Sequence, residues 1–209
     1  MTLHLAARPY CLLVCGISGT GKTTFALRYL VANDKLAARF IFDPDGEAAQ
    51  RFGLTPAESE EELELSLDDG FTIYDPHAMF PGKLPEAMEF FCGWAFEAAA
   101  RVPGEKVLMI DEAWRYCSPN AIPESLAKCI QTGRKRRLGM IFLTQRPNRL
   151  NEAITNETSE LVSFRLQGEN ALKRVSDLGA DRDEISALAP GAFVAVNAAT
   201  AAELRGRLW

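Results

Sequence analysis

The chain has 209 residues, of which 47% are apolar and 24% charged, and its formal net charge is −5. That length suits one large domain or two small ones, and the apolar share excludes a chain that is disordered throughout. The acidic balance excludes a protein that grips nucleic acid with its whole surface; any such contact has to be local or built by several copies.

The chain opens with MTLHLAARPYCLLVCG, an arginine ahead of a short apolar run. This has the outline of a weak signal peptide, but the run leads straight into a glycine-rich segment with no small-residue cleavage site. It therefore predicts a buried strand over 10–15. No apolar run reaches the ~18 residues that a membrane-spanning helix needs. Five cysteines, with no CxxC pair among them, fit reduced thiols in a cytosolic compartment better than a disulfide framework or a structural zinc site.

Gly16-Ile17-Ser18-Gly19-Thr20-Gly21-Lys22-Thr23 follows that strand and matches GxxxxGK(S/T) at every fixed position. Glycines let such a loop turn its backbone N–H groups inward, which makes an anion nest at a helix N-terminus. Lys22 supplies a mobile positive charge for β- and γ-phosphates, and the Thr23 hydroxyl is a ligand for Mg²⁺. The expected cofactors are ATP and Mg²⁺. The expected binding set is Gly16, Ser18, Gly19, Thr20, Gly21, Lys22, Thr23 and Thr24.

A helix over 23–31 follows, with Leu27, Leu30 and Val31 on one side. Further apolar runs predict strands over 40–43, 71–74, 107–110, 140–144, 161–166 and 192–196. Near-continuous apolar strands suit a parallel sheet covered on both faces. The acidic stretch 58–69 reads as a solvated helix or loop ahead of the third strand. Helices are predicted over 85–101, from the stripe Ala87, Phe90, Phe91, Trp94, Ala95 and Ala98, and over 122–137, from Ile122, Leu126, Cys129 and Ile130. Alternating strands and helices argue for one α/β domain over 1–209.

Val107-Leu108-Met109-Ile110-Asp111-Glu112 is an apolar strand that ends in two acids. Adjacent carboxylates at a sheet edge are costly unless a cation is near. The roles divide: Asp111 holds the hydrated Mg²⁺, and Glu112 orients and deprotonates the attacking water. Phosphoryl transfer rests mainly on positioning and charge neutralisation, so this pair and the cradle suffice for hydrolysis.

With Lys22 and Asp111-Glu112, the strand end Thr144-Gln145-Arg146-Pro147 completes a set that resembles the FtsK–HerA branch of P-loop ATPases. Asp43-Pro44-Asp45-Gly46-Glu47 resembles that family's DPxGE turn, and Gly133-Arg134-Lys135-Arg136-Arg137-Leu138-Gly139 its GR-x-x-G-like segment. Ala189-Pro190-Gly191-Ala192-Phe193-Val194 resembles its late L-x-x-G turn and strand, so the likeness runs from Tyr10 to about Val196.

The resemblance implies a RecA-like fold of the additional-strand, catalytic-glutamate type, with the glutamine-tipped strand between the other two motif strands. Gln145 would then sense the γ-phosphate. The family also implies double-stranded DNA as partner, a homo-oligomeric ring, most simply a hexamer, and an arginine finger reaching the neighbouring site. Arg134 is the choice by motif position, with Arg137 and Arg146 as alternatives. The short chain is similar to the minimal genome-packaging ATPases of tailless, internal-membrane viruses. That implies capsid or membrane-vertex partners and a location in the host cytoplasm or at the packaging vertex of the virion.

Loops 77–85 and 115–123, with Lys83 and Arg115, are candidate DNA contacts or ordinary connectors. The tail with Arg205, Arg207 and Trp209 is a candidate dock for a neighbour or a disordered end. Other classes considered are a P-loop assembly factor, a conjugation-type coupling ATPase and a small-molecule kinase. The pairing of Glu112 with Gln145 favours hydrolysis over transfer to a small acceptor.

Overall fold

The computed structural model describes residues 11–209. Its elements in chain order are β1 (Cys11–Cys15), α1 (Lys22–Ala32), β2 (Leu36–Phe42), α2 (Glu47–Phe52), α3 (Glu60–Leu65), β3 (Phe71–Tyr74), α4 (Pro76–Met79), α5 (Leu84–Arg101) and β4 (Glu105–Ile110). There follow α6 (Glu124–Thr132), β5 (Leu138–Thr144), α7 (Glu152–Glu157), β6 (Glu160–Phe164), α8 (Glu169–Asp177), α9 (Arg182–Ala187), β7 (Ala192–Asn197) and β8 (Glu203–Arg207). Tyr10, expected to open the first strand, lies outside the described residues.

The strands form one eight-stranded sheet in the order β3-β2-β4-β5-β1-β6-β7-β8. From β3 to β6 every neighbouring pair is parallel, and β7 and β8 add on as antiparallel strands. The period of two along each parallel strand divides the core into two layers. Leu13, Cys15, Phe40, Phe42, Leu108, Ile110, Met140 and Phe142 point to the layer that α5 covers with Phe91 and Trp94 and α6 with Leu126. Leu12, Val14, Ile41, Val107, Met109, Ile141 and Leu143 point to the layer under α1, with Phe25 and Leu30. Both faces are thus apolar, which is why these strands read as unbroken apolar runs.

Aromatic rings lock α5 to the sheet. Phe91 stacks on Tyr74 with centroids 4.8 Å apart and lies next to Trp94 at 5.7 Å. The acidic stretch becomes α3, capped by the Ser59 hydroxyl, which accepts from the Glu62 N–H. Its Glu64 anchors it to α5, accepting from Trp94 Nε1 at 2.8 Å and from Arg101 at 2.6 Å.

Three expectations need revision. The helix predicted over 122–137 ends at Thr132, and a 3₁₀ turn carries Arg134–Arg136. Arg137, at φ 54°, reverses the chain into β5, and a Cβ at Gly133 would sit tightly against the Leu138 carbonyl at 3.1 Å. The second strand begins earlier than predicted, at Leu36. Its Arg39 is buried and caps the end of α1, donating to the carbonyls of Leu30 at 2.8 Å, Asn33 at 2.6 Å and Leu36 at 3.0 Å. The tail forms strand β8, paired along its length with β7.

All five cysteines, Cys11, Cys15, Cys92, Cys117 and Cys129, are buried as free thiols. Burial pushes Cys11, Cys117 and Cys129 up to about 12, and raises Cys15 and Cys92 as well.

Candidate functional site

Parallel strands place their C-terminal ends along one edge, and the motif residues meet there. The glycine-rich loop leaves β1 and is tied on both sides. Gly16 N–H donates to the Thr144 carbonyl of β5 at 3.2 Å, and Ile17 N–H donates to the Arg165 carbonyl beyond β6 at 2.9 Å. A Cβ at Gly16 would meet Thr20 Oγ1 at 2.6 Å and Phe164 Cβ at 2.7 Å, so a side chain there would burst the loop. Gly19 (φ 76°) and Gly21 (φ 112°) adopt the left-handed backbone that turns N–H groups inward. Gly21 caps α1 without any side-chain partner, leaving the first N–H groups of that helix for an anion.

Lys22 is 7% exposed and folds back on the loop, its Nζ donating to the Ile17 carbonyl at 3.4 Å. Thr20 Oγ1 donates to the same carbonyl at 2.7 Å. Thr24 Oγ1 accepts from Arg51 at 2.7 Å, and Arg51 is paired in turn with Glu47 at 2.7 Å. The sequence reading had not brought Arg51 to the cradle.

Across the sheet edge, Thr23 Oγ1 donates to Asp111 Oδ2 at 3.4 Å. The other Asp111 oxygen, Oδ1, accepts the Glu112 N–H at 2.7 Å. Burial pushes Asp111 up to about 6; the Glu112 N–H pulls the other way, and the neighbouring Glu112 charge adds to the rise. A hydroxyl and a carboxylate facing one point are hard oxygen donors that fit Mg²⁺, and an anionic site short of positive charge fits a cation. The inward glycine loop and buried Lys22 fit a phosphate chain. The residues present therefore suit a Mg²⁺–nucleotide, with Thr23 and Asp111 as the metal-side pair.

Glu112 sits in the left-handed region at φ 44° and ψ 45°. A non-glycine residue held there costs on the order of 1 kcal/mol and is a mark of functional sites. The turn bends the carboxylate toward Trp114, whose Nε1 donates to Glu112 Oε2 at 2.6 Å. The indole lies under two guanidinium groups, Arg146 at 4.5 Å and Arg149 at 5.9 Å from the ring centroid. Trp114 is two residues from Glu112, yet sequence reasoning missed it, because the contact depends on that left-handed turn.

Gln145 directly follows the last residue of β5, and β5 lies between β1 and β4. The strand ahead of the glutamine thus runs between the other two motif strands, the strand order that the resemblance implied. Thr144 is fully buried, and its hydroxyl accepts the Arg146 N–H at 3.0 Å, fixing the turn at Pro147.

The basic run is placed elsewhere. Arg134–Arg137 precede β5 and so lie at the opposite sheet edge, a strand length of roughly 20 Å from the cradle of the same chain. Arg136 stacks on Phe96 at 3.7 Å, and Arg134 approaches Glu157 at 4.0 Å. Segments 77–85 and 115–123 both follow strand ends on the cradle side, the first of them taking in most of α4 and the start of α5 in place of the expected loop. Arg115 is held by Asp45 of the loop after β2 at 3.0 Å, and His77 Nε2 lies 3.1 Å from the Pro44 carbonyl.

An added strand between the cradle strand and the acid-tipped strand, in a mainly parallel sheet covered on both faces, defines the RecA-like P-loop fold. Solved structures with this fold include the genome packaging NTPase B204 from Sulfolobus turreted icosahedral virus 2 in complex with AMPPCP. It is 18% identical, with a TM-score of 0.76, over 98% of this chain and 100% of that chain. B204, the DNA-packaging ATPase from Sulfolobus turreted icosahedral virus, is 17% identical, with a TM-score of 0.70, over 98% of this chain and 100% of that one. VirB4 of Thermoanaerobacter pseudethanolicus is 14% identical, with a TM-score of 0.69, over 95% and 89%. These are FtsK–HerA-type ATPases, and at such identities the likeness shows that the chain has their fold. No protein-family model and no curated protein matches the chain.

Proposed function

We propose that the chain is an ATPase of the FtsK–HerA type that moves double-stranded DNA, of the kind that packages viral genomes. One observation carries the reading: β5 brings Gln145 between the phosphate cradle of β1 and the Asp111-Glu112 tip of β4. Three neighbouring strands then end along one edge of the sheet, where they can share the positioning and charge neutralisation that hydrolysis of a bound triphosphate rests on. A small-molecule kinase needs an acceptor there in place of water.

In this reading the inward N–H groups of the loop and Lys22 hold the β- and γ-phosphates. Bound Mg²⁺ would neutralise charge developing on the phosphate oxygens. Thr23 and Asp111 hold its hydrated shell. Glu112 takes the proton of the attacking water, and Trp114 keeps its carboxylate oriented. Gln145 touches the water and the γ-phosphate and passes their state to Arg146, the next residue on the strand tip.

The shared fold with B204, a genome packaging NTPase, supports the packaging role. The proposed partners are double-stranded DNA and further copies of the same chain in a ring, most simply a hexamer, with capsid or membrane-vertex proteins at the packaging vertex. Arg134 can act as a finger only on a neighbouring copy, since it lies at the far edge from its own cradle. Its side chain is 64% exposed, which suits that reach.

The deciding measurement is ATP turnover with and without double-stranded DNA, read together with the oligomeric mass. DNA-stimulated turnover by a ring is expected. A monomer that passes phosphate to a small acceptor, or turnover indifferent to DNA in every oligomeric state, would overturn the proposal.

A further inference from the structure

We propose that Trp209 is the platform on which the base of the bound nucleotide stacks, and that the site takes purine nucleotides with little preference between them. The inference rests on the nucleotide reading above and extends it to the end of the ligand that the motif residues leave unassigned.

The direction of the ligand follows from the sheet. Lys22, Asp111, Glu112 and Gln145 place the γ-phosphate on the side of β1 that carries β5 and β4. The nucleoside must leave the loop on the other side, toward β6, β7 and β8. There β8 runs antiparallel to β7, so its end returns to the cradle edge. Leu208 N–H donates to the Gly191 carbonyl at 2.9 Å, and the Leu208 carbonyl accepts from Arg28 of α1 at 3.0 Å. These bonds deliver Trp209 to the cradle.

The indole fits between two glycines that have no room for a side chain. A Cβ at Gly191 would lie 2.7 Å from Trp209 Cε2, and a Cβ at Gly21 would lie 2.9 Å from Trp209 Cη2 and 2.7 Å from Leu208 Cδ1. Gly21 is the residue just before Lys22, so the ring borders the phosphate nest itself. Phe164 and Phe193 behind it are buried, whereas Trp209 is 57% exposed and is the only aromatic among the exposed large apolar side chains of the described residues. An exposed indole packed on glycine beside an anion nest presents a flat face where the base arrives. Such stacking tolerates any base but grows with ring area, which favours purines.

The test measures direct binding of AMPPCP, the cytidine analogue CMPPCP and inorganic tripolyphosphate to the full chain and its variants. Trp209→Leu, which keeps apolar bulk on the glycines, should weaken AMPPCP about tenfold or more, the effect of one lost base–aromatic stack. Trp209→Phe should stay within a few-fold of the parent. Tripolyphosphate affinity should not move in either variant, and the parent should bind CMPPCP more weakly than AMPPCP. If Trp209→Leu binds AMPPCP as the parent does, the stacking role is wrong and the phosphate site stands. If tripolyphosphate weakens in parallel, Trp209 shapes the loop and the proposal also fails. If the parent binds neither tripolyphosphate nor AMPPCP, the nucleotide reading itself is wrong.

Discussion

Asp111→Asn should make the metal-free protein more stable at neutral pH while weakening its hold on Mg²⁺–nucleotide. Burial raises the Asp111 carboxyl from an ordinary 3.8 to about 6. A carboxyl held above its unfolded value costs no stability while both states keep the proton. The cost begins as the unfolded chain ionises near pH 3.8, grows until the folded carboxyl ionises near 6, and is constant above that. At roughly 1.4 kcal/mol per pH unit, the gap is about 3 kcal/mol, and water reaching the partly exposed carboxylate trims it to about 2. Asparagine removes the charge and keeps an oxygen for the Glu112 N–H and an amide for the Thr23 hydroxyl.

For a chain of this size, about 2 kcal/mol raises Tm by about 4–8 °C. The gain should shrink to about a third at pH 4.5, which lies less than one pH unit above the ordinary 3.8 of the unfolded carboxyl. Thermal melts in chelator at pH 7.5 and 4.5, beside nucleotide titrations with Mg²⁺, read both effects. An equal gain at the two pH values, or none at pH 7.5, would refute the charge-burial account.

Other substitutions separate the remaining roles. Glu112→Gln should bind ATP like the parent and lose turnover by about a hundredfold or more, within the range of a lost general base; equilibrium binding and phosphate release in parallel settle it. Trp114→Phe keeps the ring under Arg146 and loses only the N–H to Glu112. A hydrogen bond to a charged group is worth about 1.5–3 kcal/mol, so kcat should fall about tenfold or more with KM unchanged. An unaltered kcat would remove Trp114 from the mechanism. Arg39→Met strands the carbonyls of Leu30, Asn33 and Leu36 and should cost about 3 kcal/mol in urea unfolding. A loss below about 0.5 kcal/mol, the scale of an ordinary surface change, would mean that water replaces the guanidinium there.

The parts of this fold that follow local rules were legible in the chain. The strand over Phe71–Tyr74 matches its prediction end for end, and the ends of the glycine-loop strand and of β4 agree at the site. Those segments are apolar on both faces, and their punctuation is glycine or acid. Strand β8 was not legible: Glu203-Leu204-Arg205-Gly206-Arg207 has charged residues, a glycine and little apolar content, and exists because β7 offers it an edge. Arg39 hid the start of β2, since its burial depends on carbonyls of another element.

The site divides in the same way. Lys22, Thr23 and Asp111 lie in motifs that the chain displays, and the fold brings the Thr23 hydroxyl within 3.4 Å of Asp111. The Trp114 contact comes from the backbone angle of Glu112, and the approach of Trp209 to Gly21 comes from a strand the sequence did not announce. Both require the third dimension.

The thiols have a practical corollary. None of the five cysteines is exposed, and burial keeps each of them protonated at neutral pH. Alkylating reagents attack the thiolate, so the folded protein is a silent background. One cysteine introduced in the turn between α4 and α5 would take a fluorophore alone, without first stripping the native ones. Once the label is in place, slow modification of Cys11 and Cys15 on the central strand would clock the opening of the sheet itself.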